Sequence, residues 1–529
     1  VDDTGGKLLE DASFTIEPGT HVATVGEVNS GAEALAEALA RLHPPARGRV
    51  LINGEPIEAL PEAITGRRIA YLSSEPILHN TSLKENLLYG LKHGSPKPGA
   101  SDEAPLTAFE IAEASASGNP LPDAARNWID FSTAGVADHA ELRLRLGDVL
   151  KLVGLESDVV DLGLRSTIDT ELHDDWSKRI LEARAAMKVA VEAPENAGLI
   201  EVFDPKTYNQ QMTIGGNILF GRARKAAFEA DQLAENPFVR ELLATSGLDE
   251  RLFLLGREIA DTMIELFADL EPGNSFLEQM AFMSPDELPT YRSRLSKEGA
   301  QTYATARPAD QAAFLRLALA YIEPQHRLGL IDNTLRDDIL EARKQVFETL
   351  PAEDDSAVAF YDPETFNPGS SLQDNILFGR AAYGISKGPE TLRRIFRGIL
   401  DDLDMNDLVF EAGLEFSVGS GGRRLTSSQR QRVGIARALL KRPDLLIVNR
   451  GLSALSARSQ TRVMTRVLKS GTGRADEDRA SFATFWVLMN PQNATMFDEV
   501  LVFESGRLVE QGEPETLAAR KGHFARLLS

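Results

Sequence analysis

Strand-like and helix-like patterns alternate at both ends of the chain. Near the start, His21–Val25 has the pattern of a short strand, a segment bounded by Gly26 and Gly31 follows, and Ala34–Leu42 has helical spacing. Further predicted strands are Ala12–Ile16, Gly48–Gly54 with its turn, Arg68–Leu72, Leu445–Val448, Thr484–Leu488 and Val500–Phe503, and further predicted helices are Ser427–Lys441 and Ala454–Leu468. Strands that alternate with helices predict an α/β fold with a parallel sheet.

A long helical region with an internal repeat separates these two ends. Three motifs recur in the same order: Ile180–Arg184 as Ile339–Arg343, Asp204–Asn209 as Asp362–Asn367, and Asn217–Arg222 as Asn375–Arg380. A weaker copy begins at Glu75-Pro76 and ends with Asn86–Gly90, and each copy is followed by an apolar helical pattern. Recurrence at matched spacing favours a triplicated helical module over chance.

Composition and charge narrow the classes of protein to which this chain could belong and the partners that it could bind. The 529 residues suffice for two to four domains, and the apolar content of 43% is that of an ordinary globular protein. The net charge of −22 argues against nucleic acid as a standing partner, because phosphate binding needs a basic surface. Without cysteine there are no disulfides or thiolate metal sites. No apolar run is long enough to cross a bilayer, and we expect any membrane helices to precede Val1 in a longer chain.

The most specific motif is Leu425-Thr426-Ser427-Ser428-Gln429, which Arg430-Gln431-Arg432 follows. It resembles the signature helix of ABC ATPases, whose usual core is Leu-Ser-Gly-Gly-Gln followed by Arg-Gln-Arg. Pro443–Leu455 is similar to the Walker B strand and D-loop of that family, and Phe497–Gly512 is similar to its closing hairpin. The sequence thus resembles the nucleotide-binding domain of an exporter-type ABC transporter over residues 1–90 and about 358–529.

The resemblance places the phosphate-binding Walker A loop between the first strand and helix. The positions that would contact nucleotide there are Gly26, Asn29, Ser30, Gly31, Ala32 and Glu33. Both glycines of the pattern are present, but Ala32 stands at the lysine position and Glu33 at the position of the magnesium-binding hydroxyl. The loop therefore loses a positive charge and, unless Glu33 turns outward, gains a negative one beside the phosphates.

Other chemical positions of the family are also substituted. Ser74 stands at the Q-loop glutamine, Met489 at the switch histidine and Ser456 at the D-loop aspartate. Asn449 replaces the Walker B aspartate, and Arg450 replaces the glutamate that polarises the attacking water, which a guanidinium cannot do as a base. In the signature, Ser427 and Ser428 replace two glycines, whereas Thr426 keeps a hydroxyl and Leu425 and Gln429 are retained. The catalytic positions are thus held by Arg450, Met489 and Ser74, and the magnesium positions by Glu33, Ser74 and Asn449.

These substitutions indicate a fold that is kept while its chemistry is lost, as in a pseudoenzyme or in a sequence constrained by fold alone. The resemblance implies ATP and Mg²⁺ as ligands, ATP hydrolysis as the family activity, and a place at the cytoplasmic side of a membrane. It also implies two partners, a transmembrane domain and a second ABC domain in a homo- or heterodimer. We do not expect ATP turnover by this chain alone.

The domain prediction is an ABC core interrupted by a large, mainly helical insertion. Residues 1–90 hold the Walker A and Q-loop positions, residues 91–357 form the insertion with its repeats, and residues 358–529 hold the signature, Walker B and switch positions. Two alternatives stay open. One is a non-catalytic scaffold or regulatory protein that uses the helical insertion for protein–protein interaction, and the other is residual hydrolysis by an unusual arrangement.

Overall fold

A computed structural model describes residues 7–27, 30–93, 107–118, 128–168, 174–267, 287–296, 302–350, 357–472 and 482–529. Its strands are β1 His21–Gly26, β2 Leu51–Ile52, β3 Glu55–Pro56, β4 Ile69–Leu72, β5 Ile200–Val202, β6 Gly221–Ala223, β7 Val358–Phe360, β8 Gly379–Ala381, β9 Leu445–Asn449, β10 Ala483–Val487, β11 Glu499–Glu504 and β12 Arg507–Gly512.

The helices in the first half of the chain are α1 Ala32–Leu39, α2 Glu62–Arg68, α3 Leu83–Leu88, α4 Ala108–Ser117, α5 Phe131–Ala134, α6 His139–Val153, α7 Glu156–Arg165, α8 Asp174–Glu192, α9 Ile214–Leu219, α10 Pro237–Thr245 and α11 Leu248–Phe267. The later helices are α12 Leu288–Leu295, α13 Pro308–Ala320, α14 Glu323–His326, α15 Asn333–Thr349, α16 Leu372–Leu377, α17 Gly388–Asp402, α18 Asn406–Leu414, α19 Ser427–Leu440, α20 Ala457–Thr472, α21 Pro514–Ala519 and α22 His523–Leu528. Within the described ranges, no helix combines the length and hydropathy of a membrane span.

The main sheet has six strands in the order β12-β11-β1-β10-β9-β4. Strand β1 lies parallel to β10 and β11, and β9 lies parallel to β10 and β4, while β11 and β12 form an antiparallel hairpin at one edge. The parallel sheet predicted from the alternating pattern is therefore confirmed. The central strands are buried on both faces, as parallel strands covered by helices usually are.

The strand predicted at Ala12–Ile16 is wrong, because this segment has no strand pairing. Its alternating apolar side chains pack instead against the core of the sheet, where Phe14 stacks on Phe485 with ring centroids 6.3 Å apart. Period-two burial on one face arises from such packing without hydrogen bonding to a neighbouring strand.

The chain divides into two compact units, which differ from the predicted boundaries at 90/91 and 357/358. The first comprises residues 1–162 and 413–529, and the second comprises residues 163–412. Helix α6 packs on α19 and α20, so the sheet unit extends well beyond residue 90. In the second unit α17 packs on α8, so the helical unit extends beyond residue 357.

The helical unit contains two buried arginines with the same set of hydrogen bonds. Arg343 of α15 donates from Nε to the carbonyl of Asn217 at 2.8 Å and from Nη2 to the amide oxygen of Asn217 at 2.9 Å. Arg184 of α8 makes the same two bonds to Asn375, at 2.8 and 3.2 Å. We call each of these arginine–asparagine pairs, Arg343 with Asn217 and Arg184 with Asn375, a clasp.

Each clasp joins the helix of one repeat to the loop of the other. The Nη1 atom of Arg343 donates to the carbonyls of Asp204, Pro205 and Thr207. The Nη1 atom of Arg184 donates to the carbonyls of the corresponding Asp362, Pro363 and Thr365. The short strands follow the same exchange, since β5 pairs with β8 and β6 with β7. The two repeats thus complete each other, and their common origin stays a prediction.

A buried histidine in this unit makes its stability depend on pH. His326 is 3% exposed, and its Nδ1 accepts a hydrogen bond from the backbone N–H of Ile322 at 2.9 Å. Burial lowers the pKa of His326 from 6.5 to about 4 in the folded protein. Since protonation below pH 6.5 favours the unfolded chain, we expect stability that is complete above pH 6.5 and lost progressively towards pH 4, on the order of 2–3 kcal/mol.

His326→Asn tests this expectation, because asparagine keeps an acceptor near the Nδ1 position and does not titrate. Two measurements apply, urea unfolding of the chain and hydrogen exchange of the backbone amides in α13 and α15. Both should show that the variant loses less stability than the unchanged chain between pH 6.5 and 4. Parallel pH curves for the two proteins would contradict the assignment of this loss to His326.

Candidate functional site

The predicted phosphate loop connects β1 to α1, and both of its glycines are sterically required. A Cβ at Gly26 would lie 2.4 Å from the hydroxyl of Ser30 and 2.5 Å from the carbonyl of Phe503. Gly31 has φ +97°, and a Cβ there would lie 2.5 Å from the carbonyl of Leu8. A strand, a tight turn and a helix that begins at Ala32 are the arrangement that the motif predicts.

The other loop residues are only partly accessible. Ser30 and Ala32 are buried, at 6% and 4% exposure. Gly31 caps α1 without a side-chain hydrogen bond, so the helix dipole and its first N–H groups face the loop. The predicted contact Asn29 lies outside the described residues.

The Walker B position lies at the end of β9. Asn449 is buried, and its amide nitrogen donates a hydrogen bond to the hydroxyl of Tyr71 on β4 at 2.9 Å. Burial raises the pKa of Tyr71, the nearby charges of Glu37 and Glu33 raise it further, and the bond from Asn449 lowers it. The phenol therefore stays neutral, and a neutral amide and phenol lie where the sequence predicts the Walker B carboxylate position.

The next residue, Arg450, forms an ion pair with Glu33, the second residue of α1. Arg450 has φ +53°, a left-handed conformation that is uncommon for a residue other than glycine. Glu33 therefore does not turn away from the site. The residues predicted at the catalytic-glutamate and magnesium-binding positions therefore contact each other through an ion pair.

The Q-loop position is tied to the signature helix by a residue to which the sequence assigned no role. Gln431, 3% exposed, donates from Nε2 to the carbonyl of Ser74 at 2.7 Å and to the hydroxyl of Ser453 at 2.9 Å. Its Oε1 accepts from the N–H of Ala454 at 2.8 Å. The sequence indicated this role only through the place of Gln431, two residues after Gln429 on the face of α19 that is buried. Through Gln431, the Q-loop and D-loop positions are held together.

The signature residues begin α19 as an N-terminal capping box. The hydroxyl of Thr426 accepts from the N–H of Gln429 at 3.2 Å, and the amide oxygen of Gln429 accepts from the N–H of Thr426 at 2.9 Å. Leu425 is buried, Ser427 is exposed and Ser428 is partly exposed. The Nε2 of Gln429 also donates to Asp158 at 2.8 Å.

The remaining predicted positions are at the surface. Met489 is 59% exposed just after β10, and Ser456 precedes α20, where its hydroxyl bonds that of Ser459. A thioether at the switch position has no acid–base function. The structure thus brings together Glu33, Asn449 and Arg450, while the signature residues contact α7 and their own helix.

The residues at this site do not fit a magnesium ion. Mg²⁺ prefers an octahedral shell of oxygens, commonly with one or two carboxylates. The carboxylate of Glu33 is paired with a guanidinium, Asn449 is neutral, and the carbonyl of Ser74 is bonded to Gln431. In the part of the chain that the structure describes, no group of three or more His, Asp or Glu residues is arranged to hold a metal.

Comparison with known proteins gives the same family. The sequence model of the ABC transporter family matches residues 9–157. The chain is 34% identical over 164 residues to the β-(1→2)glucan export ATP-binding/permease protein NdvA of Bradyrhizobium diazoefficiens, covering 30% of this chain and 26% of that protein. It is 30% identical over 223 residues to the ATP-dependent lipid A-core flippase of Xylella fastidiosa, covering 41% and 33%.

A third relative is the heterocyst differentiation ATP-binding protein HepA of a Nostoc species, 32% identical over 165 residues, with 31% of this chain and 25% of that protein covered. A solved bacterial Atm1-family ABC exporter with ATP bound aligns with 99% of this chain and 39% of its own, at 12% identity and a TM-score of 0.36. The chain spans about a quarter to a third of the length of these curated relatives.

The parallel sheet, the strand–loop–helix at Gly26–Ala32 and the signature helix α19, which packs on β4, define an ABC-type nucleotide-binding domain. Residues 9–157 match the ABC transporter family model, and the relatives at 30–34% identity support an exporter-type ABC nucleotide-binding domain within this chain.

Proposed function

We propose that this chain is the nucleotide-binding part of an exporter-type ABC transporter that binds nucleotide but does not hydrolyse it alone. The observation that carries the proposal is the ion pair between Arg450 and Glu33. Arg450 stands where the family has the residue that polarises water, and a guanidinium cannot accept a proton near neutral pH. Phosphoryl transfer depends on positioning and charge, and the lysine, metal ligand and base positions are all substituted.

In this function, the domain acts at the cytoplasmic face of a membrane beside a transmembrane domain. ABC domains work as pairs in which the phosphate loop of one faces the signature of the other. The exposed hydroxyls at Thr426 and Ser427, at the start of α19, are compatible with such a partner. The domain would then be the non-hydrolysing half of a homo- or heterodimer, and its substrate is not assigned.

A phosphate-release assay with Mg-ATP tests the catalytic part of the proposal. We expect no turnover above buffer by the purified chain, because no described side chain at the base position can accept the proton of water. Turnover that Asn449→Ala or Arg450→Ala abolishes would contradict this expectation and support hydrolysis by an unusual arrangement. ATP-dependent association with a membrane domain, measured by co-purification, tests the transport part, and its absence with every candidate would exclude it.

A second candidate is a non-catalytic scaffold or regulatory protein on the same fold. The helical unit favours it, since it has its own core of α9, α11, α13 and α15 and its own pair of clasps. A unit with an independent core is able to present a surface for protein–protein interaction. If a protein partner binds residues 163–412 without nucleotide, the scaffold is the better account.

A further inference from the structure

The nucleotide site contains an internal cation at the place where the family resemblance calls for a metal. Glu33, at the magnesium-binding position, is paired with the guanidinium of Arg450, and each side chain keeps a substantial exposed fraction, 44% for Glu33 and 32% for Arg450. The pair therefore lies at the accessible surface of the site rather than in the core. A ligand that reaches the phosphate loop meets these two groups.

The two substitutions at Glu33 and Arg450 are reciprocal in charge. The family pattern has a neutral hydroxyl at the start of the helix and a carboxylate after the strand, with a lysine in the loop. Here the carboxylate is on the helix, the cation is after the strand, and Ala32 leaves the lysine position neutral. Arg450 is thus the cation that the structure places beside Glu33, and a metal ion there would meet the positive charge of a guanidinium.

The guanidinium has one donor without an acceptor and a part that solvent reaches. The Nε of Arg450 is buried and has no hydrogen-bond partner among the residues that the structure describes, so a phosphate oxygen would bond it only after the side chain shifts. The exposed 32% of the side chain is open to a ligand without such a shift. Guanidinium groups bind phosphate oxygens through two parallel N–H donors, which a metal-free phosphate accepts well.

From these observations we infer that Arg450, held by Glu33, takes the place of the divalent metal, so that the phosphate loop binds a nucleoside polyphosphate without magnesium. This inference rests on the proposed nucleotide-binding function and names the ionic form of its ligand. Arg450 would contact the phosphates, and Glu33 would be a positioning residue that also competes with them for the guanidinium.

Titration calorimetry with ATP, in EDTA and in excess Mg²⁺, tests this inference on the full chain. The unchanged chain should bind ATP in EDTA at least as tightly as with Mg²⁺. Arg450→Met should lose at least tenfold in affinity in EDTA, and Mg²⁺ should then tighten binding because the Glu33 carboxylate is left without its partner. Glu33→Gln should tighten binding in EDTA severalfold, because it removes a negative charge and releases Arg450.

Glu37→Gln is the matched control, since it removes the same charge one turn further along α1 and Glu37 makes no ion pair with Arg450. It should change the affinity less than twofold, and circular dichroism should show that all variants are folded. ATP binding that requires Mg²⁺ in the unchanged chain and in Arg450→Met alike would overturn the inference while leaving nucleotide binding in place. If no variant binds ATP with or without metal, the proposed function itself fails, and the inference with it.

Discussion

Arg343→Met should destabilise the helical unit by roughly 3–5 kcal/mol, the loss typical of breaking a buried charged network. Arg343 is 1% exposed, makes five hydrogen bonds to residues of the other repeat, and lies with its guanidinium carbon 4.2 Å from the centre of the Phe220 ring. Burial lowers its pKa to about 10, so the arginine stays charged at neutral pH. Methionine fills part of the volume but removes the arginine donor from the carbonyl oxygen of Asn217 and one of the two donors to its amide oxygen, which keeps the N–H of Asn209.

The neighbouring Lys344→Met is the control, because it makes the same change of side chain at an exposed position of the same helix. Lys344 pairs with Glu341 at the surface, where an exposed ion pair adds little stability, so its loss should leave the urea midpoint almost unchanged. Urea unfolding of both variants measures the difference. Arg184→Met should behave as Arg343→Met does, since it opens the other clasp. A loss below about 1 kcal/mol in both arginine variants would mean that water replaces the guanidinium at little cost.

Gly256→Ala should also be strongly destabilising, by roughly 3 kcal/mol or more, although alanine is the better helix former. Gly256 lies in α11 where that helix crosses α13. A Cβ at this position would lie 1.9 Å from the carbonyl oxygen of Phe314 and 2.6 Å from its carbonyl carbon. These are backbone atoms of a packed helix, so the added methyl group forces the two helices apart instead of displacing a flexible side chain.

Gly398→Ala, in the same unit, should stabilise the protein where Gly256→Ala destabilises it. Gly398 lies on the exposed face of α17, and no atom lies within 4 Å of a Cβ built there. Alanine should therefore stabilise this helix by about 0.5–1 kcal/mol through its helix propensity alone. Chemical unfolding of the two variants and of the unchanged chain measures whether the free energy of unfolding falls in Gly256→Ala and rises in Gly398→Ala. If Gly256→Ala were as stable as Gly398→Ala, the close helix crossing would be wrong.

Most elements of the sheet could be predicted from the sequence, because a strand buried on both faces needs an uninterrupted apolar run. Leu445–Val448 is such a run, and the structure has a strand at Leu445–Asn449. The strand predicted at Ala12–Ile16 was wrong for a physical reason. Alternating apolar and polar residues show which side of a segment is buried, but they do not show whether its backbone pairs with another strand. The unit boundaries were also not predictable, because they depend on where α6 and α17 pack.

The sequence predicts positions for the candidate site but not the contacts between its residues. Motif order placed Glu33 and Arg450 at two chemical positions, and the sequence left open whether Glu33 turns outward. Their pairing depends on the packing of α1 beside the end of β9, which joins opposite ends of the chain. In the same way, the repeated Ile-Leu-Glu-Ala-Arg motif marked Arg184 and Arg343, but the exchange of loops between repeats is a property of three-dimensional packing alone.

The pairing of β1 sets the order in which this protein is able to fold during its synthesis. Strand β1 is made before the whole helical unit, yet both of its neighbours, β10 and β11, lie beyond residue 480. At ribosomal rates of about 5–20 residues per second, β1 waits about half a minute to a minute and a half before either neighbour exists. The helical unit, whose clasps close within residues 184–375, is complete before then. It is therefore able to fold before the sheet whose two halves it separates in the sequence.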